Sequence, residues 1–159
     1  MSLAQQAIAE LNAAHEYFNR STRNLTEAQS TARPAAGMMS AAQQVAHAAQ
    51  TIDWFMQGGF RPEGFDTNFE AQSKVLDGCT SLTAARAWFE KAVAAAKATV
   101  FAMSDAELMA PLPAGPIMGG APRMAIFSAI TDHTAHHRGA LTVYARISGI
   151  VPPMPYMET

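Results

Sequence analysis

Three of the five histidines of this 159-residue chain stand in one decapeptide, TDHTAHHRGA, which runs from Thr131 to Ala140. Imidazole binds transition metals and titrates near neutrality, so such a cluster opens metal or acid–base chemistry. Direction decides which. Residues four apart on a helix share a face, with Cβ atoms about 5–6 Å apart. His133 and His137 have that spacing and fall on the seam Ile126, Ile130, His133, His137, Ala140, Tyr144, Ile147. They therefore present two nitrogens to one ion. His136 lies off the seam, one turn after Asp132, and the two are expected as a flanking pair near the surface.

A transition-metal site with open chemistry has about three protein ligands and a vacant or water-filled position. Two histidines remain as candidates for the third ligand. His15 lies on a seam of its own helix; His47 lies beside the seam of the next, on the side carrying Gln43, Gln44 and Trp54. A core imidazole can also be satisfied by a carbonyl or hydroxyl, which leaves a purely structural role open. An unsatisfied buried polar group costs roughly 1–3 kcal/mol. No carboxylate shares a seam with His15, His133 and His137, and coordination would satisfy several of them together.

The elements that position these residues are helical. Alanine, leucine, methionine, glutamine and glutamate fill the periodic stretches, and all favour helix. The spacing predicts four helices, over about 2–29, 40–57, 82–103 and 122–148. The first carries Ile8, Leu11, His15, Phe18, Thr22 and Leu25 inward; the second Ala41, Val45, Ala48, Ile52 and Phe55. The third carries Leu82, Ala85, Phe89, Val93, Ala96, Val100 and Met103. Ser40 caps the second helix, SDAE from Ser104 to Glu107 reads as a capping box, Pro122 suits a first turn, and Gly149 stops the last helix. VPPMPYMET is an extended tail. Four amphipathic helices make an all-α four-helix bundle, read as one domain over 1–159. The irregular piece between the second and third helices exceeds twenty residues. At about 3.3 Å per residue it can run the length of the bundle, so a long crossover is expected there. The proline-rich loop before the last helix could cross as well.

Composition narrows the function. The net charge is −2 and no basic run appears, which excludes an electrostatic nucleic-acid footprint. No stretch approaches the roughly 18 apolar residues of a membrane span, and the first residues lack the pattern of a signal peptide. The one cysteine, Cys79, fits a reducing cytoplasm and reads as a passive thiol. Charged residues make up only 15% of the chain, and Trp88, Ala92, Ala95, Thr99, Phe127 and Val143 fall outside the seams. Such apolar surface predicts a homodimer.

Two motifs extend the reading. GMMSAAQQVAHAAQTIDWF resembles the second-helix motif of the DinB-like superfamily of metal-binding four-helix bundles (unrelated to the DNA polymerase of that name), with His47 as its histidine. DHTAHHRGALTVYARISGIVPP resembles the final-helix motif of the same superfamily, with His133, His137, Arg138 and Gly139 in place. Met39 and Ala140 depart from it, where tryptophan and glutamine are frequent. The resemblance implies that His47, His133 and His137 hold a divalent metal, zinc or nickel ahead of iron or manganese, in a bundle with one long crossover that often pairs. It also implies a metal-dependent enzyme acting on a small molecule, by thiol-dependent S-transfer or isomerisation with a low-molecular-weight thiol as co-substrate. A metal-dependent hydrolase and a non-catalytic metal- or small-molecule-binding stress-response protein are the alternatives. His15, Asp132, Tyr144 and Arg138 are the candidates for supporting or substrate-contacting roles.

Overall fold

The computed structural model describes residues 1–157. Its helices are α1 (Leu3–Thr22), α2 (Ala41–Phe60), α3 (Phe69–Asp77), α4 (Leu82–Phe101), α5 (Asp105–Met109) and α6 (Ala125–Ile147), with a 3-10 turn at Glu27–Gln29. No β-strand occurs among the described residues. The extended tail is followed to Met157, and its last two residues lie outside that range.

The four long helices α1, α2, α4 and α6 form the bundle. Their packing partners close a ring, α2 on α4, α4 on α1, α1 on α6 and α6 on α2. Cross-helix pairs fix the directions. Asn12 meets Lys97, His15 meets Glu90 and Thr22 meets Arg86, so α1 and α4 are antiparallel. Gln44 meets Tyr144 and Thr51 meets His133, so α2 and α6 are antiparallel. Ser30 joins the starts of α2 and α4, giving its carbonyl to Ala42 N–H and its hydroxyl to Leu82 N–H, so these two run parallel. The long crossover between them is present. The proline-rich loop does not cross: Arg123, just before α6, donates to Gly59 O at the end of α2, and Asp105, just after α4, accepts from Leu3 N.

Caps set the helix starts. Ser2, Ser40 and Ser104 each form a capping box with Gln5, Gln43 and Glu107. The seams of α2 and α4 are buried as expected, apart from a half-buried Met103. Four expectations are corrected. The first helix ends at Thr22, because Arg86 Nη2 takes the Thr22 and Leu25 carbonyls and Leu25 turns into the core. The last helix begins at Ala125 rather than Pro122, because residues 122–124 enter as tighter i→i+3 turns, with Arg123 and Met124 N–H bonded to Ala110 and Leu108 carbonyls. The irregular piece contains α3, capped by Asn68. On α6 the buried stripe is Ile126, Phe127, Ile130, Thr134, His137, Leu141, Tyr144 and Ala145; Ile147 is exposed. Phe127 and Ala92 therefore lie within the chain's own core, and half-buried Trp88 donates to Asp53 Oδ2 at 2.7 Å. Of the residues that suggested a paired surface, Ala95, Thr99 and Val143 remain exposed.

Gly58 near the end of α2 permits a close approach: a Cβ there would overlap the ring of Phe65 in the crossover. Replacing a helical glycine by alanine ordinarily stabilises by about 0.5–1 kcal/mol. We expect Gly58→Ala to destabilise by about 1–3 kcal/mol, the cost of overpacking. Gly139→Ala in α6, where nothing lies within 4 Å of the new Cβ, should stabilise by the ordinary amount of about 0.5–1 kcal/mol. Urea denaturation checks the pair, and midpoints moving in the same direction would show that Phe65 does not rest on Gly58.

Candidate metal centre

The antiparallel contact of α2 and α6 brings together His47, His133 and His137. One nitrogen from each lies within 4.8 Å of the others, with no carboxylate or thiol in the set. The ring centroids of His133 and His137 are 4.4 Å apart, and His47 stands edge-on to both at 5.0 and 4.9 Å. His137 is buried; His47 and His133 are half-buried.

The ring orientations follow from hydrogen bonds that end on backbone carbonyls. Tyr144 donates its hydroxyl to Met39 O at 2.6 Å. Its oxygen accepts from Gln44 Nε2 at 3.3 Å, which turns Gln44 Oε1 toward His137 Nδ1 at 2.5 Å. That nitrogen must carry a proton, and the lone pair of His137 lies on Nε2. A second chain does the same for His47. Gln50 Nε2 donates to Gln72 O in α3 at 3.0 Å, so Gln50 Oε1 faces His47 Nδ1 at 3.3 Å and accepts from it. Holding the outer nitrogen of a ligating histidine in this way orients the ring and raises its basicity.

His133 has no such chain. Its Nδ1 is buried without a partner, while Nε2 sits 3.2 Å from His137 Nε2 and 3.5 Å from Thr51 Oγ1. No neutral tautomer satisfies both of its nitrogens. Two imidazole nitrogens bound at about 2.0–2.1 Å to one ion, at about 90–110° to each other, would be about 2.8–3.4 Å apart. The observed 3.2 Å falls in that interval. The donor set is also right for a divalent transition metal, since all three rings are kept neutral. Burial, followed by the neighbouring histidines, holds His137 down to about 3 and His133 to about 4. Burial likewise holds His47 below its ordinary value.

The supporting candidates separate. Tyr144 belongs to the centre through Gln44. His136 is exposed, its ring 4.9 Å from that of His137, and Asp132 is exposed with no hydrogen bond to it among the described residues. Arg138 faces α1, stacked between Tyr17 and Tyr156 beside a cavity of about 190 Å³. His15 lies with α1 and α4: its Nε2 is 2.7 Å from Glu90 Oε2 and it stacks on Phe89. The absence of a seam carboxylate therefore does not leave His15 unpaired, because Glu90 reaches it from the edge of α4. Gln50 and Thr51 went unread in the sequence, and Gln44 was read only as a neighbour of His47. The available signal was polar Gln44 and Thr51 recurring seven apart inside the otherwise apolar stripe of α2.

An all-helical bundle with three convergent imidazoles on two antiparallel helices defines a class of candidate metal-binding proteins. The chain belongs to the DinB superfamily, whose family model matches residues 10–141, a span that includes all three histidines. No curated protein matches it. Its fold is similar to that in the crystal structure of a conserved protein from Enterococcus faecalis, with a TM-score of 0.66 and 15% identity over 92% of this chain and 97% of that one.

The histidines also leave a signature in the metal-free chain. Their folded pKa values lie below the unfolded value of about 6.5, so the unfolded state binds more protons and stability rises with pH between the two. The contribution is complete above about 6.5 and is lost as pH falls toward 4 and 3. Glu27, Glu90 and Glu107, held below the ordinary 4.5, lose theirs only below that pH. Melting temperature of the metal-free chain should therefore already fall between about pH 6.5 and 4.5, and His133→Gln should flatten that fall. An unchanged slope in the variant would show that His133 does not carry it.

Proposed function

We propose that the chain binds one divalent transition metal through His47, His133 and His137 and uses it on a small-molecule substrate in thiol-dependent S-transfer or isomerisation. The observation that carries the metal reading is the pair of glutamine chains that aim the Nε2 lone pairs of His137 and His47 inward, beside an unsatisfied His133. Zinc or nickel suits three neutral imidazoles best, with iron and manganese next. When bound, such an ion supplies Lewis acidity that stabilises a thiolate or lowers the pKa of a water. The chain's own residues supply the rest. Gln44 and Gln50 hold the Nδ1 protons of His137 and His47, and Tyr144 anchors Gln44. His47 and His133 are half-buried, and His136 beside them is exposed. Superfamily membership supports the transferase reading; a hydrolase and a non-catalytic binding protein are the competing ones.

Metal analysis after reconstitution should find about one divalent ion per chain, and its absence with every ion tried would refute the centre. His137→Ala should abolish binding while His136→Ala retains it, since only His137 points inward; equal loss in both would reverse that assignment. In the cobalt form, a small thiol that binds the ion directly should produce a sulfur-to-cobalt charge-transfer band. Metal binding without any such band, across glutathione-like thiols, would leave the binding protein or hydrolase and remove S-transfer. Pairing through the exposed Val143 and Ile147 of α6 is part of the same proposal. Sedimentation equilibrium showing only a 17.0 kDa species would exclude it.

A further inference from the structure

Gln43, His47, Gln50 and Trp54 follow one another at spacings of four, three and four, so they form one stripe of α2. Three of them hold the crossover by hydrogen bonds to its backbone. Gln43 donates to Leu76 O at 3.1 Å, Gln50 to Gln72 O at 3.0 Å and Trp54 Nε1 to Asp66 O at 2.7 Å. The fourth is His47, whose Nδ1 proton is accepted by Gln50.

The helix held in this way is weak by itself. It has nine residues, below the length at which helices persist in water, and buries only Leu76, while Phe69 and Val75 are more than half exposed. A segment with so little buried apolar surface sits at the low end of local stability and opens without global unfolding. The link to the bundle therefore runs largely through polar contacts, and the central one is shared with His47.

We propose that Gln50 is a positioning residue that couples docking of α3 to the metal centre, so that metal on His47 tightens α3 and docked α3 tightens metal. This rests on the metal reading above. With α3 docked, the Gln72 carbonyl takes the Gln50 amide protons and forces Gln50 Oε1 toward His47. With α3 lifted, the amide is free to rotate, and His47 loses the acceptor that keeps its lone pair on Nε2. Coupling of two binding events is reciprocal, so an ion held through Nε2 must in turn favour the docked α3.

Two substitutions separate the halves of the link. Gln50→Leu removes both hydrogen bonds. Gln50→Glu keeps an acceptor for His47 Nδ1–H but cannot donate to the Gln72 carbonyl. Cobalt affinity by titration and hydrogen–deuterium exchange over residues 69–77, with and without cobalt, provide the two readouts. In the wild type, cobalt should slow exchange in α3. Gln50→Leu should weaken cobalt binding by about 10-fold or more, the usual effect of losing the outer partner of a ligating histidine. Gln50→Glu should bind cobalt more tightly than Gln50→Leu, yet its α3 should exchange faster than the wild type's and no longer respond to cobalt. Wild-type protein that binds cobalt with no change in α3, or Gln50→Glu with the wild-type response, overturns the coupling and leaves the metal centre standing. Wild-type protein that binds no cobalt overturns both, while unchanged affinity in Gln50→Leu removes the positioning role.

Discussion

A backbone carbonyl can accept a hydrogen bond but cannot donate one, and that asymmetry organises the centre of this bundle. The Met39 carbonyl fixes the Tyr144 hydroxyl, which fixes the amide of Gln44, which places the proton of His137 on Nδ1. The Gln72 carbonyl acts through Gln50 on His47 in the same way. An isolated glutamine could turn either end toward an imidazole, but these two cannot without setting acceptor against acceptor. The result is a pair of Nε2 lone pairs aimed at one point before any ligand arrives. This is preorganisation carried by neutral groups, at a depth where three charged imidazoles would be prohibitive.

The topology is what lets those chains close. Antiparallel α2 and α6 set residue 44 beside 144, 47 beside 137 and 51 beside 133, so one helix face meets the other in register. Parallel α2 and α4 require a crossover, and the same crossover delivers the Gln72 carbonyl to Gln50. A direct hairpin between α2 and α4 would leave that face of α2 without α3. The close seat of Phe65 on Gly58 fixes where the crossover leaves α2 and lets Phe65 pack on Trp54, the last residue of the stripe that holds α3.

Much of this was legible in residue spacing. The period of α4 gave its buried face with only Ala92 missed, because its large side chains recur on one stripe; on α2 every seam residue is buried, but the small or polar Ala42, Gln44, Ala46, Ala49 and Thr51 widen the buried face beyond that seam. The caps at Ser40 and Ser104 were legible because a serine followed three residues later by glutamine or glutamate has a local mechanism. On α1 and α6 the phase was less clear. Ala14 beside His15 and Thr134 beside His133 are small, and small residues mark close helix contact without adding hydrophobic signal. This shifted the α1 seam onto His15, which lies at the edge with Glu90, and left Phe127 outside a seam that includes it. Nine-residue α3 has local signals, the Asn68 cap and the Glu70–Lys74 pair, but it is too short for its period to stand out from the loop around it. The glutamine chains were invisible because they are tertiary: Gln44 meets Tyr144 across one hundred positions of sequence.

His133 is the member of the cluster that stability alone does not explain. His137 and His47 each have a partner for the outer nitrogen, but His133 Nδ1 is buried with none. Leaving such a group unpaired costs about 1–3 kcal/mol. A leucine would fill similar space on α6 without that cost. Three histidines serving only to pack a core would be a poor solution at this position. A cation on the Nε2 atoms would engage the lone pairs of His133 and His137 together, with the His133 proton on Nδ1. The 3.2 Å contact between the two rings can thus be bridged by the proton of one imidazole or by an ion shared between them, and only the second uses both lone pairs.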